Sequence, residues 1–170
     1  MVEVREAVVE DAEAMANVNA AGWRAGYRGI VPDERLENLP VGRWRREMKA
    51  GLREPRVDSF TRIAELSEVV AGYCFVAAPA RDEPDGSKLS ELVAIYVRPQ
   101  SWRRGVGREL ITAVLARAGE LGYEEMYLWT FERNQRALDF YLEFDFQPDG
   151  SRQDYMPLGI PTLKLRRPLG

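Results

Sequence analysis

The chain has 170 residues and not one histidine. That absence removes Ser-His-Asp and Cys-His nucleophile machinery, the HExxH zinc site, and histidine as acid or base. A catalyst built from this sequence works with carboxylates, tyrosine, lysine, cysteine or backbone groups, and no metal site is expected. Cysteine is nearly absent too. Cys74 stands alone, so no internal disulfide can form, which fits a reducing cytosol. It lies in the apolar run VVAGYCFVA and reads as a small buried hydrophobe rather than a nucleophile. No apolar run approaches the ~18 residues needed to cross a membrane. The N-terminal MVEVREAVVEDAEAM is acidic and lacks the long apolar core of a signal peptide. A cytoplasmic protein with no membrane partner is therefore expected. The net charge of −3 argues against a broad basic surface for nucleic acid. Repeats, low-complexity tracts and linkers are also missing. One domain over residues 1–170 is expected, with 45% hydrophobic residues to fill its core.

What is present alternates between strand and helix patterns. Residues 2–8 alternate enough for a strand. Asp11 then reads as an N-cap or first-turn acid of a helix carrying Ala12, Met15, Val18 and Asn19. The stretch from Trp23 to Pro32 is aromatic and broken by glycines, which predicts a loop. Pro32 opens a short helix with Leu36 and Leu39, Pro40 ends it, and 42–52 reads as a third helix. Runs 59–66 and 69–78 predict a hairpin, and the polar 79–89 a surface loop. A strand over 90–98 leads into a glycine turn. The helix after it, over about 105–121, aligns Val106, Leu110, Val114, Ala118 and Leu121, with Gly122 as its C′ residue. Strand 125–131, a helix from Asn134, strand 144–147, a loop over 148–161 and a last strand TLKLRR complete the order. That order predicts a mixed α/β (α+β) fold around one sheet.

The most informative stretch is LVAIYVRPQSWRRGVGRELI, residues 92–111. Strand, basic turn and helix in that order leave free backbone N–H groups at a positive helix end, a receptor for phosphate or pyrophosphate. Two standard phosphate motifs fail. GxxxxGK[ST] is absent, and GxGxxG would need a small residue where Leu110 stands. A second feature is NQRALDFY, residues 134–141. Asn134 is a good N-cap, and Asn134, Ala137, Leu138 and Tyr141 share one helix face. The small Ala137 admits a close approach, and the Tyr141 phenol projects from the same face; taken alone, that tyrosine reads first as a core aromatic with a hydrogen-bonded hydroxyl.

Together these features resemble the GNAT superfamily, the acyl-CoA-dependent N-acyltransferases. The family pattern is a strand ending near V-x-P, a turn [R/Q]-x-x-G-x-[G/A], and a later N-x-x-A-x-x-F-Y. Here it reads Val97-Arg98-Pro99, Trp102 through Gly107, and Asn134 through Tyr141. The likeness is close over 90–147 and looser before that, in the opening V-R-x-A…D and the Trp23…Tyr27…Pro32 segment. Trp102 replaces the usual Arg or Gln, and Asp145 replaces the glycine that commonly precedes Phe146.

The resemblance implies a mostly antiparallel mixed sheet, splayed at the acyl-CoA site and flanked by helices, with acetyl-CoA as acyl donor. The backbone of Ile95, Tyr96 and Val97 would bond the pantetheine arm. The amides of Arg103, Arg104, Gly105, Val106, Gly107 and Arg108 would hold the pyrophosphate, with the three arginines nearby and Asn134 beside the arm. The reaction implied is direct attack of a primary amine on the thioester. Glu91, the only carboxylate between 86 and 108, is the candidate base, and Tyr141 the candidate acid for the departing thiolate. Trp23, Tyr27, Asp154 and Tyr155 are candidate lining of the acceptor site, with aromatics and a carboxylate suiting a cationic amine. The acceptor stays open between small amine, polyamine and protein amine. Homodimerisation is expected on analogy alone. A non-catalytic acyl-CoA-binding or sensing domain is the competing reading, and an unrelated nucleotide-binding module a third.

Overall fold

The computed structural model describes residues 1–78 and 88–170. Seven strands form one sheet in the order β1-β2-β3-β4-β5-β7-β6. They are β1 Val2–Glu6, β2 Phe60–Leu66, β3 Val69–Ala77, β4 Leu89–Val97, β5 Glu125–Phe131, β6 Gln147–Tyr155 and β7 Ile160–Pro168. The helices are α1 Ala12–Gly26, α2 Asp33–Glu37, α3 Val41–Arg53, α4 Val106–Glu120 and α5 Gln135–Leu142. Among the described residues, β4 and β5 are the parallel neighbours and all other pairs run antiparallel. The parallel pair needs a crossover, which α4 supplies, and α5 carries the chain from β5 past β7 to β6 at the edge.

The α4 stripe buries Val106, Leu110, Ile111, Val114 and Ala118 against Cys74, Val76, Leu92, Met126 and Leu128 on one sheet face. Met15 and Val18 of α1 cover Ile63 and Tyr73 on the other, with Met48 and Leu52 of α3 behind them. Cys74 is fully buried, and burial pushes its thiol up to about 12, so it packs as the apolar reading expects. The stripe of α4 stops one turn early, because Leu121 is exposed. Gly122 ends the helix at φ +85°, donating to Gly119 C=O at 3.0 Å, while Tyr123 N–H reaches Ala118 C=O at 3.1 Å. That double bond is the Schellman closure glycine favours.

Four expectations need correction. Asp11 stands at the N-cap position of α1, as expected, but its side chain makes no forward cap bond. A 3-10 turn, Val9–Asp11, precedes α1, and the carboxylate reaches back to Val8 N–H at 2.8 Å and to both Arg5 Nη atoms at 2.9 Å. The loop expected from Trp23 begins later, since α1 runs on to Gly26. Gly22 is glycine for packing, not for turning: a Cβ there would stand 2.8 Å from Tyr96 Cδ1. Strand 144–147 and loop 148–161 are replaced by the long edge strand β6, exposed along its whole length. Pairing with β7 holds it, with a register shift between Pro148 and Arg152 that absorbs the turn-like Pro-Asp-Gly. Of the loop expected over 79–89, residues 79–87 lie outside the described residues, and Leu89 already belongs to β4.

Candidate active site

The site begins as a fault in the sheet. β4 and β5 pair only through Leu89↔Glu125, Ser90↔Met126 and Glu91↔Tyr127. Across β3 the register steps from Val76↔Leu92 to Phe75↔Ala94, leaving Val93 as an extra residue. A bulge bends its strand and increases the local twist. Placed directly after the last β4–β5 pair, it turns β4 away from β5 and opens a cleft from Leu92 to Val97.

The register also decides which backbone groups face that cleft. Arg98 N–H bonds Ala71 C=O at 2.8 Å, so residues alternating with it, Tyr96 and Ala94, also address β3. Ile95 and Val97 therefore present their peptide groups to the cleft. Tyr96 contributes its ring instead, packed on Gly22 of α1. One cleft-facing acceptor is already used: Trp102 Nε1 donates to Val97 C=O at 2.9 Å. The unusual tryptophan thus ties the turn to the end of β4.

The turn closes through Arg103 at φ +59° and Gly105 at φ +84°. Gly105 caps α4 without any side-chain bond, so the first-turn amides up to Arg108 stay available at the positive helix end. Gly107 lets α5 approach, since a Cβ there would stand 3.3 Å from the Phe140 ring. Arg108 is engaged, paired with Glu143 at 3.2 Å and lying over Phe144. Arg103 and Arg104 have no carboxylate partner among the described residues.

On the β5 arm, Asn134 caps α5 as expected, its side-chain oxygen accepting from Ala137 N–H at 3.3 Å. Tyr141 is half-buried, and its hydroxyl has no hydrogen-bond partner among the described residues. Burial, with Tyr96 nearby, raises its phenol above the usual tyrosine range, so it holds its proton. Asp145 adopts φ +63°, the left-handed backbone a glycine takes without strain. At the vertex of the cleft, Glu91 accepts from the buried Tyr127 hydroxyl at 3.2 Å. Lys164 Nζ lies 4.3 Å from the Tyr127 ring centroid.

The aromatic residues expected at an acceptor site do converge. Trp23 contacts Tyr27 at 4.9 Å and Tyr155 at 6.1 Å between ring centroids. Trp44 at 5.6 Å from Trp23 and Phe131 at 4.8 Å from Tyr27 complete the wall. Neither was singled out in the sequence, though Trp44 stands one helix turn before Met48, which packs inward. Tyr27 is anchored rather than free: its hydroxyl meets that of Tyr96 at 2.9 Å, and burial raises both phenols. Asp154 is exposed on β6 opposite Pro161.

Comparison with known proteins now gives this cleft a family. The sequence pattern of the acetyltransferase (GNAT) family matches residues 23–146. An uncharacterised N-acetyltransferase of Bacillus subtilis, YuaI, is 30% identical, over 99% of this chain and 98% of its own. A spermidine N(1)-acetyltransferase of Thermoplasma acidophilum is 23% identical, over 88% of this chain and 92% of its own. The PaiA N-acetyltransferase of Thermoplasma acidophilum, crystallised with coenzyme A, superposes with a TM-score of 0.78 at 18% identity, covering 96% of this chain and 98% of that one. The chain belongs to the GNAT family of acetyltransferases, enzymes that draw on an acyl-CoA donor. No helix among the described residues is long and apolar enough to cross a membrane.

Proposed function

We propose that this protein transfers an acetyl group from acetyl-CoA to a primary amine at the β4–β5 cleft. The observation that carries the reading is the bulge at Val93, which opens the sheet beside the free N-terminus of α4. The donor supplies an acyl group activated as a thioester. The groups present suit it. Ile95 and Val97 offer strand-like backbone bonds to a pantetheine arm. The amides from Arg103 to Arg108, with Arg103 and Arg104, which have no carboxylate partner among the described residues, suit a pyrophosphate. Asn134 flanks the same cleft.

An amine near pKa ~10.4 is mostly protonated at neutral pH, so it must lose a proton before it attacks. Glu91 takes that proton, held in place by the Tyr127 hydroxyl. Tyr141 Oη gives a proton to the departing thiolate, and its raised phenol keeps that proton available. As the C–N bond forms and the C–S bond breaks, the nitrogen sheds its second proton to the Tyr141 phenolate, which restores the phenol, and Glu91 returns its proton to solvent. The wall of Trp23, Tyr27, Trp44 and Tyr155 suits a cationic amine. Likeness over 88% of the chain to a spermidine N(1)-acetyltransferase supports testing polyamines first.

Calorimetric titration with acetyl-CoA, CoA, ATP and NAD tests the donor. Binding of acetyl-CoA and CoA, with no heat from ATP or NAD, is expected. Binding of ATP or NAD alone ends the reading.

A further inference from the structure

Arg136 was no part of the expected site, yet it occupies an unusual position. Its guanidinium carbon lies 3.4 Å from the centroid of the Trp102 ring. On another side Nη2 lies 3.1 Å from the point where a Cβ on Gly26 would stand. Trp102 follows β4 and Arg136 follows β5, so the stack spans the two arms at the open end of the cleft. Among the described residues Arg136 has no carboxylate partner. Burial lowers it from the usual arginine range, and the like charge of Arg103 in the turn adds to that. It remains a cation. A guanidinium held on an indole, sensing the like charge of Arg103 and with no carboxylate partner among the described residues, is a site with a charge still to be met.

We propose that Arg136 and Trp102 form a clasp over the mouth of the cleft, in which Arg136 binds the diphosphate of the acyl-CoA donor opposite the α4 amides. The proposal rests on the acetyl-CoA reading above. Trp102 acts as a positioning residue: its Nε1 bond to Val97 fixes the indole, and the indole fixes the guanidinium plane.

The test compares Arg136→Gln with wild type on three donors: acetyl-CoA, 3′-dephospho-acetyl-CoA and S-acetylpantetheine. The acetyl-CoA KM is expected to rise about ten- to a hundredfold, the size of one charge-assisted hydrogen bond, with kcat changed little. The rise persists for the dephospho donor, which keeps the diphosphate, and vanishes for S-acetylpantetheine, which has none. Arg136→Lys keeps the charge without the planar stack and gives an intermediate KM; it also serves if the glutamine variant folds poorly. An equal rise for all three donors means a structural role only and overturns the proposal. So does loss of the effect with the dephospho donor, or no effect at all. Wild type failing to bind acetyl-CoA would instead end the functional reading, so the two failures are distinguishable.

Discussion

In the proposed reaction, Tyr141 is where a single side chain carries most of the chemistry. Its hydroxyl has no hydrogen-bond partner among the described residues, so removing that oxygen costs the protein little besides its proton. Tyr141→Phe is expected to lower kcat by ~10²–10⁴, the worth of a positioned acid, with the melting temperature and acetyl-CoA affinity near wild type. A phenylalanine variant that turns over at the wild-type rate contradicts the assignment. The direction of its ionisation gives a second check. Burial raises the phenol, so the protonated form extends to higher pH than in a free tyrosine. Ultraviolet titration should then show no phenolate absent from Tyr141→Phe appearing below about pH 10. Glu91→Gln is expected to reduce kcat on the same scale while leaving the Tyr127 hydroxyl a partner to bond. Unchanged turnover in that variant would leave proton removal to another group.

At the level of elements, the join between β1 and α1 depends on one carboxylate. Burial pushes the Asp11 carboxyl up, but the Arg5 guanidinium and the Val8 N–H outweigh it and hold it below the usual range. Asp11→Asn should therefore destabilise the fold by about 1–3 kcal/mol in urea melts at neutral pH. The sign with pH follows. A lowered folded value means the contribution is complete above the unfolded value near ~3.9 and drains as pH falls through the folded one. The gap between wild type and Asp11→Asn should stay constant above about pH 5 and shrink below pH ~4; a gap that widens in acid contradicts the pairing. The contact of α1 with β4 is equally local. Gly22→Ala puts a methyl 2.8 Å from Tyr96, so the ring must move and the Tyr27–Tyr96 bond is lost. A cost of about 1–3 kcal/mol and a raised acceptor KM are expected, and an unaffected melting curve would show that Tyr96 has room to yield. The same elements mark what sequence reading reaches. α4 with Gly122, β5 and the Asn134 cap were legible because apolar period and capping chemistry agree there. β6 was not: its polar, Pro- and Gly-containing residues carry no burial signal, and backbone pairing with β7 alone makes it a strand. α1 was cut short because Gly26 and Gly29 break the stretch after Trp23 in sequence, yet the helix carries on to Gly26 before turning.

Over the whole molecule, the fold turns one irregularity into a site. The crossover β4-α4-β5 and the α5 that follows it bring the open strand edge, the helix N-terminus and the α5 tyrosine together. The turn and Tyr141 were legible as motifs because each is contiguous. The bulge at Val93, the Trp102–Arg136 stack and the Trp23–Trp44 contact were hidden, since each joins residues far apart in the chain or depends on register. The net charge of −3 likewise conceals Arg103, Arg104 and Arg136, which have no carboxylate partner among the described residues. The most direct measurement is thiol release from acetyl-CoA, followed with a panel of amines that begins with polyamines, for wild type and Tyr141→Phe side by side. Amine-dependent release by wild type, reduced by ~10²-fold or more in Tyr141→Phe at equal acetyl-CoA affinity, is the predicted result. Tight binding of acetyl-CoA with no release for any amine would contradict it and leave a domain that senses the donor without using it.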